Sequence, residues 1–253
     1  MLLQNRIVLL TGGADGIGRK CAEAYVVAGA TVVIADLSDK KGAEVVAALG
    51  PGHLSVKCDV SQGDQVAALV AQVLEAYGRI DAIHNNAGIA GPSTPLHETT
   101  DGEWDQLLHT NLKSIYYTTK YGLVPLTKSR GVILNTSSMA GVIGQAAHAA
   151  YAATKGAINA LTKSMALDYA PLGIRVNAIC PAGIWTPMLR QWVADQPDPS
   201  SMASYLDAIH PLGSCPEGDV VADAALFLLS DQARFITGHL MHLSGGAELG
   251  YRR

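Results

Sequence analysis

The chain has 253 residues, of which 49% are hydrophobic and 16% are charged, so it is long enough to bury one large core. The formal net charge of −4, with no basic run longer than Arg252-Arg253, argues against electrostatic binding of nucleic acid. No apolar run reaches the roughly 18 residues of a membrane span, and no secretion signal precedes the first apolar run. We therefore expect one cytoplasmic domain, residues 1–253, without a nucleic-acid or membrane partner.

The cysteines give no sign of a metal site or of a disulfide framework. They are scattered and lack CxxC spacing: Cys21, Cys58, Cys180 and Cys215. We expect reduced thiols in the core and no bound metal.

Apolar runs alternate with helical patterns along the whole chain. The runs predicted as strands are Arg6–Leu10, Thr31–Asp36, Leu54–Lys57, Ala82–Asn85, Gly131–Thr136, Arg175–Cys180 and His239–Leu243. The helical stretches between them include Arg19–Ala28, Gln65–Tyr77, Trp104–Val124, Ala152–Tyr169 and Val220–Leu229. Continuous apolar strands are typical of a sheet that helices cover on both faces. The repeated units predict an α/β fold, a single-domain, doubly wound, Rossmann-like parallel sheet of about seven strands.

A glycine-rich turn directly follows the first predicted strand, at Thr11-Gly12-Gly13-Ala14-Asp15-Gly16-Ile17-Gly18. The first glycine permits a tight turn, the second permits backbone approach to a pyrophosphate, and the third permits close helix packing. The N-terminus of the next helix adds free N–H groups and a positive dipole end. A kinase-type P-loop is disfavoured because Lys20 is followed by Cys21 and not by Ser or Thr. The turn therefore predicts a dinucleotide site that includes Gly12, Asp15, Gly16, Ile17 and Gly18.

The second predicted strand, Thr31–Asp36, ends in a carboxylate. An aspartate at this place accepts hydrogen bonds from the adenosine ribose hydroxyls and repels a 2′-phosphate. The neighbours Asp15 and Leu37 include neither Arg nor Lys that would bind such a phosphate. We therefore expect NAD as the cofactor, bound at Asp36 and Leu37, with Asp59 and Val60 near the adenine.

Two tyrosine–lysine pairs have the i, i+4 spacing that puts both side chains on one helix face: Tyr151–Lys155 and Tyr116–Lys120. A neighbouring ammonium lowers the pKa of a phenol, which ordinarily lies near 10, and makes a phenolate accessible as a general base. Ser137-Ser138 ends the strand before Tyr151, whereas no serine stands comparably before Tyr116. We therefore predict that Tyr151 and Lys155 act in catalysis and that Tyr116 is a packing residue.

Five motifs stand in the order that is typical of short-chain dehydrogenase/reductases: Thr11–Gly18, Asn85-Asn86-Ala87-Gly88, Asn111, Ser138 and Tyr151–Lys155. The chain resembles this family from Arg6 to Gly246. The resemblance selects Ser138 over Ser137, because the family's serine lies thirteen residues before its tyrosine. It implies that Tyr151 exchanges a proton with the substrate oxygen, that Ser138 hydrogen-bonds that oxygen, and that Lys155 holds the nicotinamide ribose. Asn111 is expected to anchor a water through its backbone carbonyl at a helix distortion.

The same resemblance implies further cofactor contacts and an assembly. Asn85, Asn86, Ala87 and Gly88 would line the adenosine side. In Pro181-Ala182-Gly183-Ile184-Trp185-Thr186, the Ile184 backbone and the Thr186 hydroxyl would hold the nicotinamide carboxamide, with Ala182 in place of the usual glycine. Because family members form dimers or tetramers, a homotetramer or a dimer is expected, with the apolar faces of Leu107–Val124 and Ala157–Leu167 in the contacts.

A segment rich in Pro, Trp, Met and Ser follows the sixth predicted strand, at residues 181–216. Its position after a strand end predicts a substrate lid at about residues 185–215, with a short helix or two. The candidate substrate contacts are Gln145, His148, Trp185 and Trp192. Gln145 is equally consistent with a loop amide bonded to backbone, and His148 agrees better with a surface loop than with a second base.

Within the family the chain resembles the subgroup of the type-14 17β-hydroxysteroid dehydrogenase, which is linked to oxidation of L-fucose and of steroids. The runs that carry this resemblance are Gly144-Gln145, Tyr151–Gly156, Ile184–Pro187 and Gly245–Tyr251. We expect NAD-dependent oxidation of a small-molecule alcohol: a sugar, a polyol or another small secondary alcohol. The alternatives are a hydroxysteroid dehydrogenase, an NADPH-dependent ketoreductase and an idle NAD-binding regulator. The tail Glu248–Arg253 is expected to reach a neighbour's pocket with Tyr251.

Overall fold

Within residues 1–249, which the computed structural model describes, seven parallel strands form one sheet in the order β3-β2-β1-β4-β5-β6-β7. The strands are β1 (Ile7–Thr11), β2 (Thr31–Asp36), β3 (Leu54–Lys57), β4 (Ala82–Asn85), β5 (Val132–Thr136), β6 (Arg175–Pro181) and β7 (Leu240–Leu243). The predicted fold class is confirmed, and each strand agrees with its predicted run to within one residue.

Nine α-helices cover the sheet and form the lid in this part of the chain. They are α1 (Gly16–Val27), α2 (Asp39–Leu49), α3 (Gly63–Tyr77), α4 (Asp101–Leu107), α5 (Ser114–Ser129), α6 (Ala149–Tyr169), α7 (Pro187–Ala194), α8 (Pro199–Ala208) and α9 (Asp219–Leu229). None of the helices within residues 1–249 is long and apolar enough to cross a membrane.

The sheet is buried because successive residues of each strand face opposite apolar layers. In β1, Val8 and Leu10 belong to the core formed with α1, α2 and α9. Ile7 and Leu9 belong to the second core, which contains residues of α3, α5 and α6. A strand that is apolar at every position is therefore a strand with a core on each side.

Two helical regions differ from the sequence prediction. Helix α2 was not among the predicted helices; Ser38 caps it by accepting the Lys41 N–H at 3.4 Å. The predicted helix Trp104–Val124 is α4, a π-helical turn over Leu108–Lys113, and α5. Asn111 lies in that turn, so the helix distortion predicted there is present.

The predicted lid contains two short helices, α7 and α8, as expected. Each begins with a side-chain cap, from Thr186 and Asp198 respectively. The lid has a small core of its own around Val193, Leu206 and Cys215, separate from the two cores of the sheet. Tyr251, which was expected to reach a neighbouring subunit, lies outside the described residues.

The chain reverses its winding direction between β1 and β4. Strand β1 pairs with β2 on one side and with β4 on the other. Open parallel sheets bind ligands at such a switch point, beyond the carboxyl ends of the strands. The fold therefore places the loops after β1, β4, β5 and β6 around one edge.

Candidate active site

A cavity of about 710 Å³ lies along this edge of the sheet. The loops after β1, β4, β5 and β6 supply its walls together with the first turn of α6 and the lid helices α7 and α8. The cavity has a glycine-rich end at the first turn of the fold and a hydroxyl-rich end at α6.

The glycine-rich end is a cradle of bare backbone. Gly12 and Gly16 have positive φ angles of 64° and 51°, which favour glycine. A Cβ on Gly12 would lie 2.8 Å from the Ala87 Cα, and one on Gly18 would lie 2.6 Å from Asn86 Nδ2. Asn86 also holds the turn, because its Nδ2 donates to the carbonyl oxygen of Gly12 at 3.0 Å. The turn predicted for a pyrophosphate is therefore a backbone cradle, and Ile17 and Gly88 also line the cavity.

Three charged side chains meet beside this cradle. Asp15 caps α1 by accepting the Gly16 N–H at 2.8 Å, and Lys41 Nζ donates to Asp15 Oδ2 at 2.7 Å. This hydrogen bond is the main cause that lowers the pKa of Asp15. Asp36 lines the cavity, and its carboxylate accepts the N–H groups of Ala14 and Ser38, each at 3.0 Å. The residues considered next to Asp36 in the sequence did not include Lys41, which α2 brings to Asp15.

Four residues that were expected at the cofactor do not line the cavity. Leu37 is 66% exposed on the surface, and the Asp59 carboxylate accepts a backbone N–H of its own turn at 2.9 Å. Val60 is buried in the core. Asn85 points into the sheet, where its Nδ2 donates to Asn135 Oδ1 at 2.9 Å. Asn86, the first residue after β4, lines the cavity instead.

Ser138, Tyr151 and Lys155 converge at the other end of the cavity. Lys155 is buried; its Nζ lies 5.6 Å from the centre of the Tyr151 ring and donates to the carbonyl oxygen of Thr136 at 2.9 Å. The Ser138 side chain hydrogen-bonds Tyr151. The i, i+4 spacing therefore puts the phenol and the ammonium side by side, as predicted.

The pKa values at this end are set mainly by burial. Burial lowers the pKa of Lys155 to about 8. Burial also raises the pKa of Tyr151, and the hydrogen bond from Ser138 opposes that rise. The expectation that Lys155 lowers the pKa of Tyr151 below its ordinary value is therefore not met, because desolvation of the phenolate outweighs the other effects.

The structure separates the two candidate serines and the two tyrosine–lysine pairs. Ser137 donates its hydroxyl to the Lys155 carbonyl oxygen at 3.0 Å, so that hydroxyl is committed to α6. Ser138 accepts the Ala140 N–H at 3.1 Å, which leaves its proton for donation. Tyr116 is 53% exposed on α5 and does not line the cavity, so it is a surface residue and not the packing residue predicted.

Asn111 is buried beneath the cavity and does not line it. Its Oδ1 accepts the Ile89 N–H at 2.8 Å, and its Nδ2 donates to the Ile89 carbonyl at 2.9 Å and to Thr154 Oγ1 at 3.2 Å. Its side chain thus fixes the loop after β4 against α6.

The four candidate substrate residues divide into three at the cavity and one outside it. Gln145 and Trp192 line the cavity, as does His148, which is only 9% exposed and is therefore not the surface residue expected. Trp185 lies outside: its ring packs in the lid core beneath the Arg190 guanidinium, 5.0 Å away. A backbone bridge to Glu217 fixes that orientation.

Ile184 and Thr186 line the cavity, and the Thr186 hydroxyl also caps α7 by accepting the Leu189 N–H at 3.1 Å. The described residues contain no group of three or more His, Cys, Asp or Glu side chains arranged to hold a metal ion. The cysteines are buried and free: Cys21, Cys58, Cys180 and Cys215.

Comparison with known proteins gives consistent matches over nearly the whole chain. A protein-family model described as enoyl-(acyl carrier protein) reductase matches residues 12–248. L-fucose dehydrogenase from Bos taurus is 43% identical over 248 residues, which cover 98% of this chain and 91% of the relative. The structure of aldohexose dehydrogenase from Thermoplasma acidophilum has a TM-score of 0.90 and 34% identity, covering 99% of this chain and 97% of that chain. The 3-ketoacyl-(acyl-carrier-protein) reductase from Brucella melitensis, complexed with NADH, has a TM-score of 0.89 and 30% identity, covering 97% and 99% of the two chains.

Proposed function

Because the chain belongs to the short-chain dehydrogenase/reductase family and is an oxidoreductase acting on CH–OH groups, we propose that it oxidises a sugar or another small secondary alcohol with NAD. The observation that carries the proposal is the meeting of Ser138, Tyr151 and Lys155 in the cavity that also contains the glycine cradle. Relatives named for L-fucose and for aldohexose support a sugar as substrate.

The residues of the cavity fit a nicotinamide dinucleotide. Side chains are excluded at Gly12 and Gly18, where a Cβ would meet backbone or Asn86, so backbone can approach a pyrophosphate there. Lys155 would hold the nicotinamide ribose, and Ile184 with Thr186 the carboxamide. A bound nicotinamide dinucleotide supplies the acceptor for the hydride that leaves the carbinol carbon.

Tyr151 removes the proton of the substrate hydroxyl, and Ser138 donates a hydrogen bond that orients the same oxygen. The raised pKa of Tyr151 means that its phenolate needs support. With a pKa of about 8, Lys155 is about nine-tenths protonated at pH 7, so a positive charge stands next to the phenol at neutral pH. Asn111 supports this end by fixing the Ile89 backbone to α6.

The preference for NAD is supported by Asp36. Its carboxylate lines the cavity, held by two backbone N–H groups, where it would repel a 2′-phosphate. Lys41 is close enough to attract such a phosphate, but it is paired with Asp15 at 2.7 Å. The paired lysine also offsets the negative charge that Asp15 places beside a pyrophosphate site.

A sugar is supported by a free amide at the hydroxyl-rich end. Within residues 1–249, the Gln145 side chain has no hydrogen-bond partner, and it lines the cavity. When a polyol binds, each buried hydroxyl that lacks a hydrogen-bond partner costs about 1–3 kcal/mol of binding free energy. The amide of Gln145 offers a donor and an acceptor to such hydroxyls, which favours a polyol as substrate.

Initial rates with L-fucose, an aldohexose and estradiol, each with NAD⁺ and NADP⁺, test the proposal. We expect sugar turnover with NAD⁺ preferred. The Tyr151→Phe variant is expected to lose about 100-fold or more in kcat, because a general base contributes roughly 10²–10⁴-fold. Tyr116→Phe is the matched control and keeps its rate. Faster oxidation of estradiol than of either sugar would contradict the substrate class, and an active Tyr151→Phe variant would contradict the mechanism.

We also propose that the enzyme is a cytoplasmic homotetramer, with a dimer as the alternative. Large apolar side chains on the predicted contact faces support assembly: Val124 is 65% exposed and Leu167 is 78% exposed. The four free cysteines support a reducing compartment. Sedimentation equilibrium at several protein concentrations tests the assembly, and a monomer at all of them would contradict it.

A further inference from the structure

Three side chains from different parts of the chain form a hydrogen-bonded clasp beside the cavity: Ser93, His148 and Trp192. The indole Nε1 of Trp192 lies 2.9 Å from Ser93 Oγ, and Ser93 Oγ lies 3.1 Å from His148 Nε2. The Trp192 and His148 rings also meet edge to face, with their centres 6.3 Å apart. Ser93 occurs in none of the motifs of the sequence and does not line the cavity.

The chemistry of the donors fixes the direction of each bond in the clasp. An indole N–H only donates, so Ser93 Oγ accepts from Trp192. His148 Nδ1 lies 2.9 Å from the Ala146 carbonyl oxygen, which only accepts, so Nδ1 carries the proton of the neutral ring. His148 Nε2 is then an acceptor, and Ser93 donates its own proton to it. Ser93 is therefore the link that satisfies both aromatic side chains.

The clasp joins the lid to the catalytic helix. Trp192 belongs to α7, Ser93 to the loop after β4, and His148 is the N-cap residue of α6. The His148 carbonyl accepts the Ala152 N–H at 2.8 Å, and Tyr151 lies in the same first turn. We infer that Ser93 is a positioning residue, which holds α7 against the start of α6 so that substrate is retained beside Tyr151. This inference rests on the proposed oxidation of an alcohol.

The clasp matters because the hydrophobic core of the lid is small. Its buried core is limited to Val193, Leu206 and Cys215, with partly buried neighbours, whereas each core of the sheet has some twenty buried residues. One lost hydrogen bond in such a lid changes the balance of closed and open forms by about two- to tenfold. The expected effect is on retention of the alcohol, because the clasp holds α7 at Trp192, near its C-terminal end, whereas Thr186, which would hold the cofactor, caps the opposite end.

Steady-state kinetics of four variants and one control variant test the inference. Ser93→Ala and Trp192→Phe each break the clasp, and each is expected to raise the KM for the alcohol about two- to tenfold, with kcat and the KM for NAD⁺ nearly unchanged. The double variant is expected to be no worse than the more affected single variant, because both changes remove one shared link. Ser93→Thr keeps the hydroxyl, so its KM for the alcohol is expected to lie close to that of the wild type. Ser204→Ala, which removes an exposed hydroxyl from α8, is the control.

Hydrogen–deuterium exchange of the full-length protein gives a second measurement that needs no substrate. Ser93→Ala is expected to speed exchange in α7, residues 187–194, by the same two- to tenfold, with no change in the strands. Unchanged exchange in α7, faster exchange throughout the sheet, or a fall in kcat with KM unchanged would each overturn the inference. If the wild type oxidises no alcohol while α7 still exchanges faster in Ser93→Ala, the proposed function fails and the clasp stands.

Discussion

His84 is expected to make the stability of this protein depend on pH. The side chain is fully buried, and burial lowers its pKa to about 3. Its Nδ1 lies 2.9 Å from the Tyr25 hydroxyl, and its Nε2 lies 2.9 Å from Thr136 Oγ1. Burial keeps the Tyr25 phenol protonated, because it raises its pKa well above the ordinary value. The folded protein therefore holds a neutral imidazole between two neutral hydroxyls.

The sign and the size of the effect follow from the two pKa values. In the unfolded chain the histidine has a pKa of 6.5, against about 3 in the folded protein. Below pH 6.5 the unfolded chain binds a proton that the folded protein does not, so the free energy of unfolding falls. The full stability is present above pH 6.5 and is lost progressively down to pH 3, by at most about 1.4 kcal/mol per pH unit. Between pH 7 and pH 5 the loss from His84 amounts to about 2 kcal/mol.

Urea unfolding of the wild type and of His84→Gln at pH 7 and pH 5, at one protein concentration, measures this contribution. His84→Gln lowers the stability at pH 7, but the glutamine has no proton to gain. The wild type is therefore expected to lose about 2 kcal/mol more than His84→Gln over this range. His97→Gln, at an exposed side chain, is the control and should follow the wild type. Parallel losses in the wild type and His84→Gln would refute the reasoning.

Three further outcomes are expected at the cofactor end of the cavity. Gly18→Ala puts a methyl group against the backbone carbonyl oxygen of Gly12 and 2.6 Å from Asn86 Nδ2, so the Kd for NAD⁺ in a fluorescence titration should rise about tenfold or more. Gly102→Ala, where the methyl group meets nothing within 4 Å, should not change that Kd. In the wild type, kcat/KM for NAD⁺ should fall as the pH rises through about 8, because Lys155 then loses its proton. The arginine of Lys155→Arg stays charged, so the same fall in that variant would contradict this reasoning. Asp36→Ser removes the charge that opposes a 2′-phosphate, so the ratio of kcat/KM for NAD⁺ to that for NADP⁺ should fall about tenfold or more, and an unchanged ratio would assign the preference elsewhere.

Local patterns in the sequence were enough to predict the strands of the sheet, the glycine-rich turn and the tyrosine–lysine pair. Strands such as β1 are buried on both faces, so their apolar runs mark them whichever strands are their neighbours. The cradle depends on glycines within one turn, and the phenol and ammonium of Tyr151 and Lys155 depend on the repeat of one helix. The glycines of the turn are close in sequence, as are Tyr151 and Lys155.

The tertiary structure alone decided the contacts between distant residues and the direction of each side chain within a loop. Ser93 and Trp192 are 99 positions apart, and Lys41 meets Asp15 across 26 positions, so no local spacing indicates either contact. Trp185 and Trp192 are equally plausible in the sequence of the lid, but the bridge to Glu217 turns Trp185 away from the cavity. Such orientations depend on how separate elements pack, because the identity of a residue fixes its hydrogen-bonding groups but not the neighbours that they reach.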